Sequence, residues 1–476
     1  MHTHARFPSF VSLSLVSLAL LFGHVIGFAY LADQHHEHHR REFIRHFEER
    51  IPNPEQQELF KRQLAGLLGA VSGAAGGGGG GDPLSALSGL TGSLPLLGGG
   101  SFTYGGGFIE VTGAHAFVPP SSGDQRGPCP GLNAAANHNY IAHNGVVGLF
   151  EVVHTINQLY GVGIDIALAN ALMAVLSAGD PITLTWSIGG PDTKVGPPLG
   201  GLLGLLGEPQ GLDFAHNLVE ADCSLTRNDL FDTGDAWTLD INLFHRLYNS
   251  VPEGRPFTFH DMGAIAARRF HECIATSPNF YFGPVSGMVV ANAAKIFAAR
   301  LFANYTDPAH PEGVLTHDIL KSFFGICDYP RPFTYNIGWE RIPERWTRRP
   351  GAYGLLEFNF DLIQWIGWFP ELASIGGNMG RVNTFAGIRL DDLGGGIMNL
   401  AHLLEGNNLI CFALELIKTG SPSFTNNLFK TFFDLIATTV ESIGCPQIAA
   451  LTKGGVPLTQ HLQSIYPGAA KAKSGL

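Results

Sequence analysis

Charge is scarce in this sequence. Only 14% of its 476 residues are Asp, Glu, Lys or Arg, against about 25% in ordinary soluble domains. Acid prevails over base, with 40 Asp and Glu against 29 Lys and Arg, a net charge of −11. A chain without a basic footprint is not built for nucleic acid, and no such partner is expected. Cysteine is scarce too. Six thiols (Cys129, Cys223, Cys273, Cys327, Cys411 and Cys445) are too few for a disulfide scaffold. No two stand as Cys-x-x-Cys, which removes zinc-ribbon and thioredoxin-type chemistry. The glycine run Gly76–Gly81 lacks the Gly-Lys-Ser/Thr of a phosphate-cradling loop. No repeat of about 20–50 residues is present, so the chain is not a solenoid. What is abundant is apolar: 45% of residues are hydrophobic, 33 are Phe, and 61 are Gly. A large core is available, and an acidic disordered chain, a coiled coil and a collagen are all excluded.

The first hundred residues read as export and processing sequence. Phe10 to Ala32 is an apolar run interrupted at His24, preceded by Arg6 and followed by Asp33. Residues 1–32 therefore form a signal peptide or, if retained, a membrane anchor. Residues 33–62 carry the tract His35-His36-Glu37-His38-His39 and end at the dibasic pair Lys61-Arg62. They read as a solvated pro-segment ending at a processing site, although His-rich tracts can also bind metal. Residues 63–107, rich in Gly, Leu and Ser, form a linker. The expected destination is outside the cell. The sequon Asn304-Tyr305-Thr306 makes Asn304 a glycosylation candidate.

Residues 108–450 form one large domain, followed by a tail over 451–476. The apolar spacing of Val147, Leu149, Phe150, Val153 and Ile156 predicts a helix. Further helices are expected over Ile164–Leu176, Asp235–Tyr248, Asp261–Ala275, Gly287–Asn304, Thr316–Phe324, Leu355–Trp368, Gly396–Ile417 and Asn426–Ile443. Strands are few and short, with Ile182–Thr185 the clearest. The fold class is mainly α.

Cys129 is the cysteine that carries chemistry. In Arg126-Gly127-Pro128-Cys129-Pro130-Gly131-Leu132-Asn133, Pro128 keeps Gly127 out of the α region. Pro130 suits the first turn of a helix. Cys129 then falls at the N-cap, where free N–H groups and the helix dipole favour a thiolate. Left to physics alone, a buried structural cysteine or a disulfide partner stays open beside an activated thiol.

The stretch Phe117-Val118-Pro119-Pro120, Asp124 to Asn133, Asn137-His138, Tyr140 and Asn144-Gly145 resembles the haem-binding region of the fungal haem-thiolate peroxidases, the chloroperoxidases and unspecific peroxygenases. The resemblance implies an all-helical peroxidase domain with haem b, and Cys129 as the axial ligand of its iron. Glu220-Ala221-Asp222-Cys223-Ser224-Leu225-Thr226-Arg227 is similar to the family's cation motif. It implies that the Glu220 carboxylate, the Ala221 carbonyl and the Ser224 hydroxyl hold Mg²⁺ or Mn²⁺ beside a haem propionate. A helical turn would bring Glu220 and Ser224 to one face. Arg269 and Ile274-Ala275-Thr276-Ser277-Pro278-Asn279-Phe280 resemble the approach to the distal pocket. Cys411 and Cys445 are placed like a disulfide of some peroxygenases.

The family's distal base departs from the pattern. After Pro278-Asn279-Phe280 the family has an Arg and a Glu, or a His, which move a proton between the peroxide oxygens. Here residues 283–297 contain no carboxylate and no His. Candidates for the missing group are Asn292, His260, His271 and Glu272. The expected reaction is peroxide-driven oxidation or oxygenation of a small apolar or aromatic substrate. The alternatives are a biosynthetic haem-thiolate enzyme and a haem-binding protein that has lost turnover.

Overall fold

The computed structural model describes residues 108–180, 183–195, 209–327, 333–388, 403, 408–420, 451–453 and 455–476. Contacts divide the chain into two units. One comprises residues 1–100, 401–411 and 433–447, of which Leu403 and residues 408–411 are described. The other, residues 101–400, 412–432 and 448–476, holds the candidate site. The architecture is mainly α, as expected. The predicted helix over 426–443 and most of the region 389–407 lie outside the described residues.

Helix α1 (Pro130–Asn137) starts on Pro130, and its buried face is Ala134-Ala135-Ala136. Small side chains let this helix lie deep in the core. A turn at Gly145 (φ +75°) leads into β1 (Val146–Gly148), so α2 (Leu149–Tyr160) begins later than its apolar spacing predicted. Helix α2 ends at Gly161, whose φ of 73° is the left-handed cap that glycine accepts without strain. It packs on α3 (Ile164–Ala178). β1 pairs antiparallel with β2 (Thr185–Ser187), with Val147 opposite Trp186. The strand expected at 182–185 is thus displaced towards the C-terminus.

A short helix α4 (Leu230–Thr233) precedes α5 (Ile241–Tyr248). Expected from Asp235, α5 starts at Ile241 because Asp240 Oδ1 accepts the N–H of Asn242 and Leu243 at 2.7 and 3.2 Å. Thr258 and Asp261 form a reciprocal capping box that starts α6 (Phe259–Thr276). After β3 (Tyr281–Phe282) the chain makes a π-turn over Ser286–Ala291 and then α7 (Asn292–Leu301), where a single regular helix was predicted. Helices α6 and α7 pack together. Next come α8 (His317–Phe323), the β4 (Ile326–Cys327) and β5 (Thr334–Tyr335) pair, and α9 (Leu355–Trp368). β6 (Gly376–Gly377) lies between β3 and β7 (Ala386–Gly387), and α10 spans Asn408–Gly420.

The residues read as a tail are part of the fold. β8 (Thr452–Lys453) pairs with β9 (Val456–Pro457), and α11 (Leu458–Ile465) and α12 (Pro467–Ala472) follow. Leu462, Tyr466 and Ala469 are buried, and Tyr281 Oη donates to Gly475 O at 3.0 Å. Their short length hid them: two helices under three turns carry little periodicity.

Much of the phenylalanine excess is core. Phe302 stacks on Phe323 with centroids 4.1 Å apart, and Tyr160 and Trp346 close the cluster edge-on. This cluster backs α1, with Phe302 and Tyr160 the nearest atoms to the Gly131 Cα face. Among the described residues no helix is long and apolar enough to cross a membrane.

Candidate functional site

Cys129 is the N-cap of α1, in extended backbone (φ −90°, ψ 106°), with Pro130 at the first helical position. The two prolines and Gly127 shape this turn, and Asn133 clamps it. Gly127 N donates to Asn133 Oδ1 at 3.0 Å, and Asn133 Nδ2 donates to Gly127 O at 2.9 Å. A Cβ on Gly127 would stand 2.1 Å from Ile188 O, so no other residue fits. The opposite end of α1 is tied down by Asn137. Its Oδ1 accepts two bonds from Arg126, at 2.9 and 2.7 Å, and its Nδ2 reaches Gly338 O and Glu340 O at 2.6 and 2.8 Å. His138 Nε2 accepts from Ile342 N at 3.2 Å. The conspicuous Asn and His residues around Cys129 therefore hold the thiol in place.

Cys129 is part-exposed but surrounded deeply enough that burial pushes its thiol above the ordinary range. The N–H groups of Leu132 and Gly131 and the Arg227 guanidinium pull the other way, and Glu340 pushes up. This corrects the expectation of a lowered pKa: desolvation of the charged form outweighs the helix N-terminus. The sulfur makes no capping hydrogen bond of good geometry. Such a thiol, open on one side and facing two N–H groups, is a fitting soft donor for iron, and coordination itself removes its proton. The residues fit a haem ligated by Cys129.

Arg227 and Glu340 form a buried pair near this thiol, Nη2 to Oε1 at 3.3 Å. Burial pushes the Glu340 carboxyl up despite the Arg227 charge, and its Oε2 has no hydrogen-bond partner. Asp213 lies under Gly127, and burial beside Asp235 and Glu220 pushes it up to about 7.

The Glu220–Arg227 segment is a loop, so the helical-turn argument for joining Glu220 and Ser224 does not hold. Its organiser is His216, which the sequence reading missed. His216 Nδ1 lies 2.5 Å from Glu220 Oε2, and Nε2 lies 3.3 Å from Asp222 Oδ1, all buried. The second contact is too poorly aligned to count as a hydrogen bond. Burial disfavours the imidazolium, but the two carboxylates hold it well above the usual range. The spacing His-x-x-x-Glu was the available signal. Glu220 Oε2 is taken by His216, and Ser224 Oγ accepts from Thr226 N at 3.5 Å. Among the described residues no group of three or more His, Cys, Asp or Glu side chains is set to hold a metal.

The candidates for the distal base separate cleanly. His260 is exposed against Trp368 and Phe369, and His271 is exposed with Glu371 at 3.3 Å. Glu272 is committed to Arg269 at 2.7 Å. Lying on the solvent side of α6 or engaged by an arginine, these three do not supply a buried base. Asn292 is fully buried at the junction of the π-turn and α7. Its Nδ2 donates to Met288 O and Leu372 O at 2.9 and 3.0 Å, and its Oδ1 has no hydrogen-bond partner. π-turns inside helices are frequent at functional sites. Cys411 is disulfide-bonded, and Cys445 lies outside the described residues. Asn304 is half-buried, its Oδ1 accepting from Thr306 N and Thr347 N at 3.1 and 3.0 Å.

The model of the family described as "Peroxidase, family 2" matches residues 115–351, which contain Cys129, Glu220 and Asn292. An aromatic peroxidase of Fusarium equiseti is 45% identical over 372 residues, 76% of this chain and 85% of that protein. A dothistromin biosynthesis peroxidase of Dothistroma septosporum is 32% identical over 373 residues, 76% of this chain and 86% of its own length. An aromatic peroxygenase of Cyclocybe aegerita is 32% identical over 228 residues, 46% of this chain and 57% of that protein. With these likenesses and a thiol presented at the start of α1, the chain belongs to the fungal haem-thiolate peroxidases and is an enzyme that uses peroxide to oxidise organic substrates.

Proposed function

We propose that Cys129 is the axial ligand of a haem b and that the enzyme oxidises or oxygenates an aromatic substrate. The observation that carries this is Cys129 at the open N-cap of α1, facing the Gly131 and Leu132 N–H groups. When bound, the haem would supply the redox chemistry by which peroxide is reduced and the organic substrate oxidised. The chain's own work is positional. The Asn133–Gly127 clamp holds the sulfur, and the N–H groups favour its anionic form. Asn292 Oδ1, buried and without a hydrogen-bond partner, would accept a hydrogen bond from peroxide and orient it. An amide cannot take the proton away, so peroxide use by this route is slow compared with a site holding a carboxylate.

The cation belongs to the same proposal. Glu220 Oε1, the Ala221 carbonyl and the Ser224 hydroxyl are its ligands, with His216 retaining Oε2. Hard oxygen donors of this kind suit Mg²⁺ or Mn²⁺. The N-terminal run directs export, Lys61-Arg62 is the processing site, and Asn304 carries glycan.

The test is the absorption spectrum of the reduced protein with carbon monoxide. A strongly red-shifted Soret band is expected, lost in Cys129→Ser; a thiolate spectrum retained in that variant overturns the assignment. Metal analysis of Glu220→Ala tests the cation ligands, and unchanged metal content refutes them.

A second reading is favoured by a specific observation. Residues 283–297 lack any carboxylate or imidazole, and a relative is named a biosynthesis peroxidase. The substrate is then a natural-product intermediate already disposed to oxidation. Slow turnover of generic peroxidase dyes with fast turnover of such an aromatic intermediate distinguishes this reading.

A further inference from the structure

Two cysteines outside the haem assignment share one buried place. Cys223, in the loop between Glu220 and Ser224, is 0% exposed, and Cys273, on α6, is 1% exposed. Both gather around Asp229 and Arg269, and both thiols are free. The surroundings are polar. Asp229 Oδ1 accepts the Cys223 N–H at 2.9 Å and lies 4.0 Å from Cys273 Sγ. Arg269 Nη2 stands 3.6 Å from Cys273 Sγ, and Arg269 Nε bonds Ser224 O at 2.9 Å. Cys223 also has a φ of 73°, a left-handed backbone that disfavours side chains other than Asn, Asp and Gly. A cysteine held in that backbone and sharing Asp229 with a second buried thiol is more than ordinary cysteine packing. Cys327 makes a useful contrast, since its sulfur meets the Asn336 amide at 3.3 Å.

We propose that Cys223 and Cys273 are a redox-active pair that hydrogen peroxide, the oxidant this enzyme consumes, converts into a disulfide fastening the Glu220–Ser224 loop to α6. One sulfur attacks a peroxide oxygen, the O–O bond breaks, and water leaves as a sulfenic acid forms. The second sulfur displaces the sulfenic oxygen as a second water. Two thiols and one peroxide become one disulfide and two waters, and both thiol protons end on the departing oxygens. The disulfide brings the two sulfurs to about 2.05 Å. Because both are buried, the rate follows local opening of the loop. The bond joins the loop to the helix that packs on α7, and so stiffens the frame around Glu220 and Asn292. This pairing does not depend on Cys129 being the iron ligand.

The experiment uses the full chain, reduced and then treated with stoichiometric hydrogen peroxide, alkylated under denaturing conditions and mapped by mass spectrometry. A Cys223–Cys273 cross-linked peptide, two hydrogens lighter than the sum of the free peptides and lost on reduction, is expected. The same bond already present in the isolated protein also supports the proposal. Two alkylated thiols after oxidation, or a cross-link to another cysteine, overturns it. In Cys273→Ser the Cys223 sulfenic acid has no resolving thiol and should be trapped by a dimedone probe. The rise in thermal midpoint that oxidation brings should also vanish in this variant. No dimedone adduct and an unchanged rise both count against the pair.

Discussion

Asn133 and Gly127 exchange two hydrogen bonds across the Pro-Cys-Pro turn, at 3.0 and 2.9 Å, with both residues buried. Asn133→Ala leaves the Gly127 N–H and C=O unpaired in a dry place, at a cost of about 1–3 kcal/mol. Thermal unfolding should show the loss as a lower midpoint. The haem of the variant should dissociate faster, because Cys129 is four residues from the lost amide. A variant as stable as the parent would mean that the prolines alone hold the turn.

Arg227 and Glu340 stand 113 residues apart in sequence and meet in the interior near Cys129. Arg227→Leu strands a buried carboxylate, and a loss of about 3–5 kcal/mol is expected. The double variant Arg227→Leu, Glu340→Leu should lose much less, because no unpaired charge remains. Denaturant unfolding of the two variants measures the difference.

Asp213 gives a pH dependence with a defined sign. Its folded-state pKa is pushed up to about 7 by burial, and then by Asp235 and Glu220, against about 3.9 in the unfolded chain. Between those values the folded state holds a proton that the unfolded state has lost. Stability therefore falls as pH rises from about 4 to about 7 and levels off above. Asp213→Asn cannot ionise and should flatten this part of the profile, gaining relative to the parent at pH 8. Thermal midpoints from pH 4 to pH 8 check it.

Asn292 offers an unpartnered buried oxygen in a stretch, residues 283–297, that holds no carboxylate and no imidazole. A general base is worth about 10²–10⁴-fold. Asn292→Glu should raise peroxide-dependent turnover at least tenfold and add an acid limb to its pH profile. Steady-state rates with a generic aromatic donor measure this; unchanged rates and profile mean that α7 does not line the peroxide site.

Where structure is local, the sequence already contains it. The N-cap at Cys129 follows from Pro128 and Pro130, because proline geometry acts on adjacent residues. Leu355–Trp368 was delimited correctly because its flanking Gly354 and its apolar run are contiguous. The resemblance around Cys129 rests on residues within the single stretch Phe117 to Gly145 for the same reason.

What the tertiary structure decided is environment. No local rule says that burial will raise the Cys129 thiol, since the desolvating atoms come from distant segments. His216 engages Glu220 and Asp222 only because the loop folds back on itself. The π-turn before Asn292 replaces a regular helix that periodicity alone favours, and α11 and α12 pack where a tail was read. Residue order fixes what a backbone can do over a few steps. Which groups lose water, and which charges they then meet, is settled only when remote parts of the chain close around them.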